Sequence, residues 1–315
     1  MKHIAIFTIF CVAFAAGVFG QDSSVNTIAS VGYLYPAPVN VAPGQLITVF
    51  VQGNTQGTIT ATVQQVSGHA APVIEVRPPT PCILAPTLSS PCSTVTAVTV
   101  QIPYEILPTC LLCATPASFN TQMYISVNGA AGGLFALTPL GDQIHILTSC
   151  DTVVPSGNGY AQFNGLPCSP LVTHADGSPV SAGSPAAGGE EVVVYAVGLG
   201  STNPAVPTGQ AATAATPTNQ TFNLDFNFRP NALASKPIPP AAIPEAAIPS
   251  DIYFPVYTGL APGYVGLYQI NLIVAQPPAG LQPCSGAVLS NLTVSVGGLN
   301  SFDGAGICVT APVLN

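Results

Sequence analysis

The chain is expected to be all-β: two tandem immunoglobulin-like β-sandwich domains, stapled by disulfides. Three observations predict this. Short β-branched and aromatic runs recur along the whole length with Gly and Pro between them. One half repeats the pattern of the other. An even number of cysteines remains once the N-terminal apolar segment is set aside.

A chain of 315 residues accommodates two domains, each able to bury a core. Only 5% of residues are charged, 48% are hydrophobic, and there are 30 Gly and 33 Pro. The surface must therefore be built from Ser, Thr, Asn, Gln, Gly and Pro. With four Lys and Arg and a net charge of −8, no patch can neutralise a phosphate backbone, so nucleic acid is excluded as a partner.

Lys2 and His3 precede an apolar run over 4–18, and small or tolerated residues lead to Gln21. Residues 1–20 read as a signal peptide, which places the mature chain outside the cell or on its surface. No later run approaches about 18 apolar residues, so no membrane span is expected in the mature chain. Cys11 leaves with the signal. Eight cysteines stay: Cys82, Cys92, Cys110, Cys113, Cys150, Cys168, Cys284 and Cys308. In an exported chain these read as disulfides, and their order suggests near-neighbour pairs: 82 with 92, 110 with 113, 150 with 168, 284 with 308. Cys110 and Cys113 have redox spacing, but Pro108 and Pro116 bracket them in a loop, which favours a structural bridge. His145 and His174 flank Cys150 and Cys168 as a zinc set would; export and the lack of paired short spacings argue against it, and no metal is expected.

Strands are expected over 45–51, 58–66, 94–102, 123–127, 191–197, 221–228, 252–257, 266–274 and 292–296. Residues 44–53 (GQLITVFVQG) lie over 189–198 (GEEVVVYAVG), 98–102 over 270–274, and 123–129 over 292–298. The order is kept in both halves. This gives a first sandwich over 21–148, a linker and disulfide loop over 149–168, and a second sandwich over 169–315. The second half is longer because of a Pro/Ala-rich insertion over 229–250, expected to loop out of the sandwich.

The strand over Val192 to Val197 runs into Gly198-Leu199-Gly200, as a dinucleotide-binding turn would. The sixth motif position is Asn203, however, Pro204 and Pro207 prevent the helix that would hold pyrophosphate, and Asp225 sits in mid-strand. No cofactor is expected. Pro262-Gly263 and Asp176-Gly177 read as turns. Tyr268 and Ile270 should share one strand face, with Gln269 and Asn271 on the other. Calcium at Asp151 and Asp176 is disfavoured, since no clustered acidic loop accompanies them.

Residues 171–178 (LVTHADGS), Ser184-Pro185-Ala186, the stretch 190–210 and the block 257–271 (YTGLAPGYVGLYQIN) closely resemble an uncharacterised C-terminal domain family of secreted acidobacterial proteins. The resemblance covers roughly 169–310. The first half, with PAPVNVAPGQLITVFVQG, is more loosely similar to IPT/TIG-type modules. What this implies is a sandwich at the ends of exported proteins, with no established activity and no catalytic residue to carry over. The Pro/Ala insertion departs from the family pattern.

No nucleophile elbow, His-Glu-x-x-His or Walker loop is present, so an enzyme is not expected. Two functions remain. The first is a structural or adhesive cell-surface protein acting through protein contacts, itself included. The second is an extracellular module for polysaccharide or another surface ligand, using Tyr253, Tyr257 and Tyr264; the lack of Trp ranks it lower. Self-association is expected because, after the signal, only Arg77, Arg229 and Lys236 are basic. Runs such as 94–101 and 266–274 carry no charge to protect a sheet edge.

Overall fold

A computed structural model describes residues 27–31, 39–53, 55–81, 94–109, 120–151, 168–238 and 254–310. The expected signal peptide, Cys82, Cys92, Cys110, Cys113, Tyr253 and residues 239–250 of the insertion lie outside them. In chain order the first half contributes β1 (Thr27–Val31), β2 (Val39–Val41), β3 (Leu46–Gln52), β4 (Ile59–Gln64), β5 (Gly68–Ala71), β6 (Val73–Val76), β7 (Thr80–Pro81), β8 (Thr94–Gln101), β9 (Thr121–Val127), β10 (Ala130–Ala131) and β11 (Phe135–Pro139). The second contributes β12 (His145–Ile146), β13 (Val172–His174), β14 (Glu191–Val197), β15 (Thr216–Pro217), β16 (Asn223–Asn227), β17 (Tyr257–Leu260), β18 (Tyr268–Ile273), β19 (Leu292–Gly297) and β20 (Phe302–Ile307). The described residues hold no helix.

Each half is a sandwich of two sheets. The first pairs β1-β3-β8-β6 with β2-β11-β9-β4-β5; the second pairs β12-β14-β18-β17-β15 with β16-β19-β20. Alternation explains the packing. In β14 Val192, Val194 and Ala196 face inward, and in β18 Tyr268, Ile270 and Leu272 do, meeting Leu224, Val294 and Val296 from the facing sheet. Ile47, Val49, Val98 and Val100 likewise meet Ala61, Val63, Met123 and Ile125 in the first. Each such side chain contributes about 1.5–3 kcal/mol when fully buried.

The internal repeat extends to individual hydrogen bonds. Ala42 N donates to Gln45 Oε1 at 2.8 Å, and Ala187 N donates to Glu190 Oε2 at 2.7 Å. Gly44 N donates to Ile102 O and Ile102 N to Gln45 O; Gly189 N donates to Val274 O and Val274 N to Glu190 O. Val41 lies parallel to Pro139, as Ala186 does to Val309. The two copies thus share the parallel contact that closes one side of an immunoglobulin-like sandwich.

Three expectations are corrected. The insertion does not loop out over its described part, 229–238. It lies on the outward face of β19 and β20: Thr293 Oγ1 donates to Ala232 O at 2.7 Å, and Ser235 N to Ser295 Oγ at 3.2 Å. Gly304 and Gly297 leave the room, since a Cβ there would meet Ala234 at 2.5 Å and Pro237 at 2.8 Å. Thr293 and Ser295 are buried as a result. Second, the uncharged runs 94–101 and 266–274 are not edges. β8 lies between β3 and β6, and β18 between β14 and β17. The edges are short or interrupted instead, with register shifts in β1 and β6, Pro217 in β15, and Asp225 and Asp303 in β16 and β20. Third, the strand expected over 252–257 begins only at Tyr257.

Two expected disulfides are present, Cys150–Cys168 and Cys284–Cys308. The second closes 24 residues and ties the end of β20 to the segment before β19. Replacing both its cysteines by serine is expected to lower stability in urea by about 3 kcal/mol on the chain-entropy argument; an unchanged midpoint would show that the bridge constrains nothing.

Candidate functional site

A set of buried and half-buried polar side chains lies where the two sandwiches meet. Strand β12 falls ahead of residue 149, within the stretch expected to close the first sandwich, yet it pairs with β14 of the second: His145 lies opposite Val197 and Ile146 opposite Ala196. Ile144 and Ile146 belong to the second core. The connector 141–146 is then joined to the β19–β20 turn. Asp142 is wholly buried, and its carboxylate accepts from Leu299 N at 2.9 Å, Asn300 N at 3.0 Å and Ser301 N at 2.8 Å, with Ser301 Oγ also at 2.8 Å. In return Gly141 N donates to Asn300 Oδ1, Ile144 N to Ser301 Oγ and Ile146 N to Asp303 Oδ2. A connector is here a structural edge of the domain that follows it.

The Gly-x-Gly turn has its explanation in this arrangement. Gly198 has φ +81° and Gly200 +83°. A Cβ at Gly198 would stand 1.9 Å from the Gln143 carbonyl oxygen, and one at Gly200 2.3 Å from that of Gly141. Both glycines let the connector pass against the end of β14, where Gln143 N donates to Gly198 O and Gln220 Nε2 to Gly141 O.

Across the seam Leu46 packs with Leu147 and Val197, flanked by Leu171 and Leu267. This contact covers Leu46, the first residue of β3, whose neighbours Ile47, Val49 and Val51 point into the first core. Thr208 Oγ1 accepts from Tyr104 N at 2.9 Å and donates to Glu105 Oε2 at 2.8 Å, while Gly209 N donates to Gln101 Oε1 at 2.6 Å. The Tyr104 hydroxyl meets that of Tyr268 at 3.2 Å, and Tyr268 donates to Gly200 O. Burial pushes the Tyr268 hydroxyl well above its ordinary pKa, and the Tyr104 contact adds to the rise. Burial also raises Tyr104, against the lowering effect of its bond to Tyr268. The pair stays neutral over the physiological range.

His145 sits beside the seam with Nε2 3.0 Å from Asp151 Oδ1 and Nδ1 3.4 Å from Asp303 Oδ2. Burial alone would lower its pKa, but the two carboxylates outweigh burial and raise it to about 9. Asp151 is held low against burial by His145 and by the Thr148 amide and hydroxyl. A histidine whose folded pKa exceeds its unfolded value of about 6.5 stabilises the fold fully below that value. The contribution is lost as pH rises through about 9. Asp151 contributes above its unfolded pKa and loses that contribution as pH falls through its lowered one. In urea titrations the wild type should therefore lose stability from pH 7 to pH 10. His145→Gln should be weaker by about 3 kcal/mol at pH 7 and nearly flat across that interval; parallel profiles for the two proteins would rule this out.

The remaining expected site residues do not converge on one place. Cys150 and Cys168 are consumed by their disulfide, which leaves the imagined zinc set without its sulfur ligands, and no group of three or more potential metal ligands is found among the described residues. Asp176 is a turn residue: its Oδ1 accepts from Ser178 N and Oγ, and Gly177 has φ +85°. Pro262-Gly263 makes the expected turn, with Tyr264 N donating to Ala261 O. Asn271 Nδ2 donates to Glu191 Oε1 across the pair β18–β14, whereas Tyr268 and Ile270 point inward as expected. Tyr264 is exposed; Tyr257 donates its hydroxyl to Leu260 O and lines an open groove of about 240 Å³ with Phe254, Pro217, Thr218 and Thr221. Sequence reasoning missed one cluster: His174 Nδ1 lies against Glu190 Oε1, and its Nε2 is 3.2 Å from Ser184 Oγ. The spacing of these residues gave no motif to find.

Fold and seam together define a disulfide-stapled, all-β protein of two docked immunoglobulin-like sandwiches. No family model matches the chain, and no curated protein matches it.

Proposed function

We propose that this is an exported, non-enzymatic structural or adhesive surface protein. Its two sandwiches act as one stiff body, and it works through contacts with other chains, including its own. The observation that carries this is the seam, where Leu46, Gln101 and Tyr104 of the first sandwich meet Leu267, Gly209 and Tyr268 of the second. A spacer or brick needs stiffness between its modules, and a part-buried junction that joins direct hydrogen bonds to the Leu46–Leu147–Val197 contact supports it. Disulfides and a weakly charged exterior fit an oxidising extracellular compartment, and no helix among the described residues is long and apolar enough to cross a membrane. The resemblance to the C-terminal domains of secreted acidobacterial proteins, and the looser one to IPT/TIG modules, agree with this placement.

Since the sheet edges are short or interrupted, association would run through side-chain faces; Leu233, Leu289 and Leu299 of the second sandwich are 88%, 65% and 67% exposed. Light scattering over a concentration series should show mass growth above the monomer, with ordered assemblies by electron microscopy. A constant monomer mass would reject self-assembly. The groove beside Phe254 and Tyr257, with Thr218 and Thr221 on its wall, favours a second reading as a glycan-binding module. Binding to a neutral glycan array, lost in Phe254→Ala, would establish it.

A further inference from the structure

Residues 181–184 form a tight turn, with Ser181 N donating to Ser184 O at 2.9 Å and Ser184 N to Ser181 O at 3.2 Å. Ser184 is exposed. Behind it stands His174 at the end of β13, with Nε2 3.2 Å from Ser184 Oγ and 3.1 Å from Ser184 O, while Nδ1 is held by Glu190 Oε1. Glu190 is itself fixed, because its second oxygen accepts from Ala187 N at 2.7 Å. The first sandwich carries Gln45 at the equivalent place, with the equivalent bond to Ala42 N. The backbone contact therefore needs only an amide oxygen there, and the charge of Glu190 goes to the imidazole.

We infer that Ser184 is a nucleophilic serine, with His174 as its general base and Glu190 as the residue positioning the ring, and that it accepts an acyl group from activated esters. This is a single stoichiometric acylation without turnover, so it is compatible with the non-enzymatic assembly proposed above and does not rest on it. Protonated His174 donates from both nitrogens, to Glu190 and to Ser184 O. Loss of the Nε2 proton leaves a lone pair whose neighbouring donor is the Ser184 hydroxyl, since Glu190 retains the proton on Nδ1. Ser184 Oγ then attacks the acyl carbon while its proton passes to Nε2. The new Oγ–C bond forms, the ester C–O bond breaks, and the leaving phenol departs with the proton from Nε2. The turn is open, and Ser184 N is already engaged by Ser181, so the site takes donors with good leaving groups such as aryl esters.

The charged groups facing His174 are Glu190 and Asp176, and both raise its pKa, the Glu190 hydrogen bond most. Acylation should therefore rise with pH through an inflection above about 6.5. The test uses the full chain with p-nitrophenyl acetate, following nitrophenol release and mapping the acetyl group by peptide mass spectrometry. A burst of one equivalent per chain, located at Ser184 and absent in Ser184→Ala, is expected. His174→Gln should slow it at least about 100-fold. Glu190→Gln should keep the fold, as Gln45 does, and move the inflection to lower pH. Acetylation of Ser184 no faster than that of Ser178 or Ser181, or an inflection unmoved in Glu190→Gln, would overturn the inference.

Discussion

Gly198→Ala should be among the most damaging single-methyl additions in this protein, lowering stability by about 4 kcal/mol or more, whereas the same change at Gly263 should cost only about 1 kcal/mol. Both residues have positive φ, +81° and +86°, so both pay the penalty of a left-handed L-residue. What separates them is space. Nothing lies within 4 Å of a Cβ at Gly263, while at Gly198 the Gln143 carbonyl oxygen would be 1.9 Å away and its carbon 2.8 Å. Those are backbone atoms of the connector and cannot swing aside as a flexible side chain would. Relief requires the connector to leave β14, breaking the bond from Gln143 N to Gly198 O and unseating Ile144 and Ile146 from the second core. Urea midpoints of the two variants check the contrast; equal losses would mean that the connector is not packed there.

Asp142→Ala is expected to cost about 4 kcal/mol. The carboxylate is wholly buried and satisfies the backbone amides of Leu299, Asn300 and Ser301 as well as the Ser301 hydroxyl. Removing it leaves three amide groups of one turn without their acceptor, each costing about 1–3 kcal/mol unless water enters. Asp142→Asn keeps one acceptor oxygen but turns a second position into a donor facing a donor, so it should fall between wild type and Ala. Hydrogen exchange of the Leu299–Ser301 amides gives a local readout: rapid exchange in Asp142→Ala against protection in the wild type. Wild-type amides that exchange freely would contradict the assignment.

Much of the scaffold was legible because its signals are local. The alternation in 191–197 and 268–273 reports an inward face directly, and the glycine and proline turns at 177 and 262–263 report chain reversal. The repeat was legible because residues 44–53 and 189–198 share both glycines, the β-branched run and the aromatic, and in the structure Gln45 and Glu190 then do the same backbone work. What was not legible depends on contacts between distant segments. Residues 141–146 have too few alternating positions to signal a strand, and their role rests on Asn300, Ser301 and Asp303, more than 150 residues away. The insertion is irregular over its described part, 229–238, as its composition indicates, but no local property shows that Ala234 and Pro237 rest over Gly304 and Gly297. Likewise, the uncharged strands at 94–101 and 266–274 seemed unprotected only while their neighbours were unknown; in the sheets they are central. Ser184, His174 and Glu190 are brought together by a turn and a strand pair, not by a motif.

The central claim is that the seam makes one cooperative body of two sandwiches, and calorimetric unfolding of the oxidised chain measures this most directly. Residues 101–105 and 208–209 are bonded across the junction, Leu46 packs with Leu147 and Val197, and the connector belongs to the second core. Neither half should therefore melt without exposing the other's buried surface. The account predicts a single transition whose calorimetric and van't Hoff enthalpies agree, splitting into two when the junction is weakened by Gly198→Ala. Two separable transitions in the wild type, each unaffected by Gly198→Ala, would contradict it.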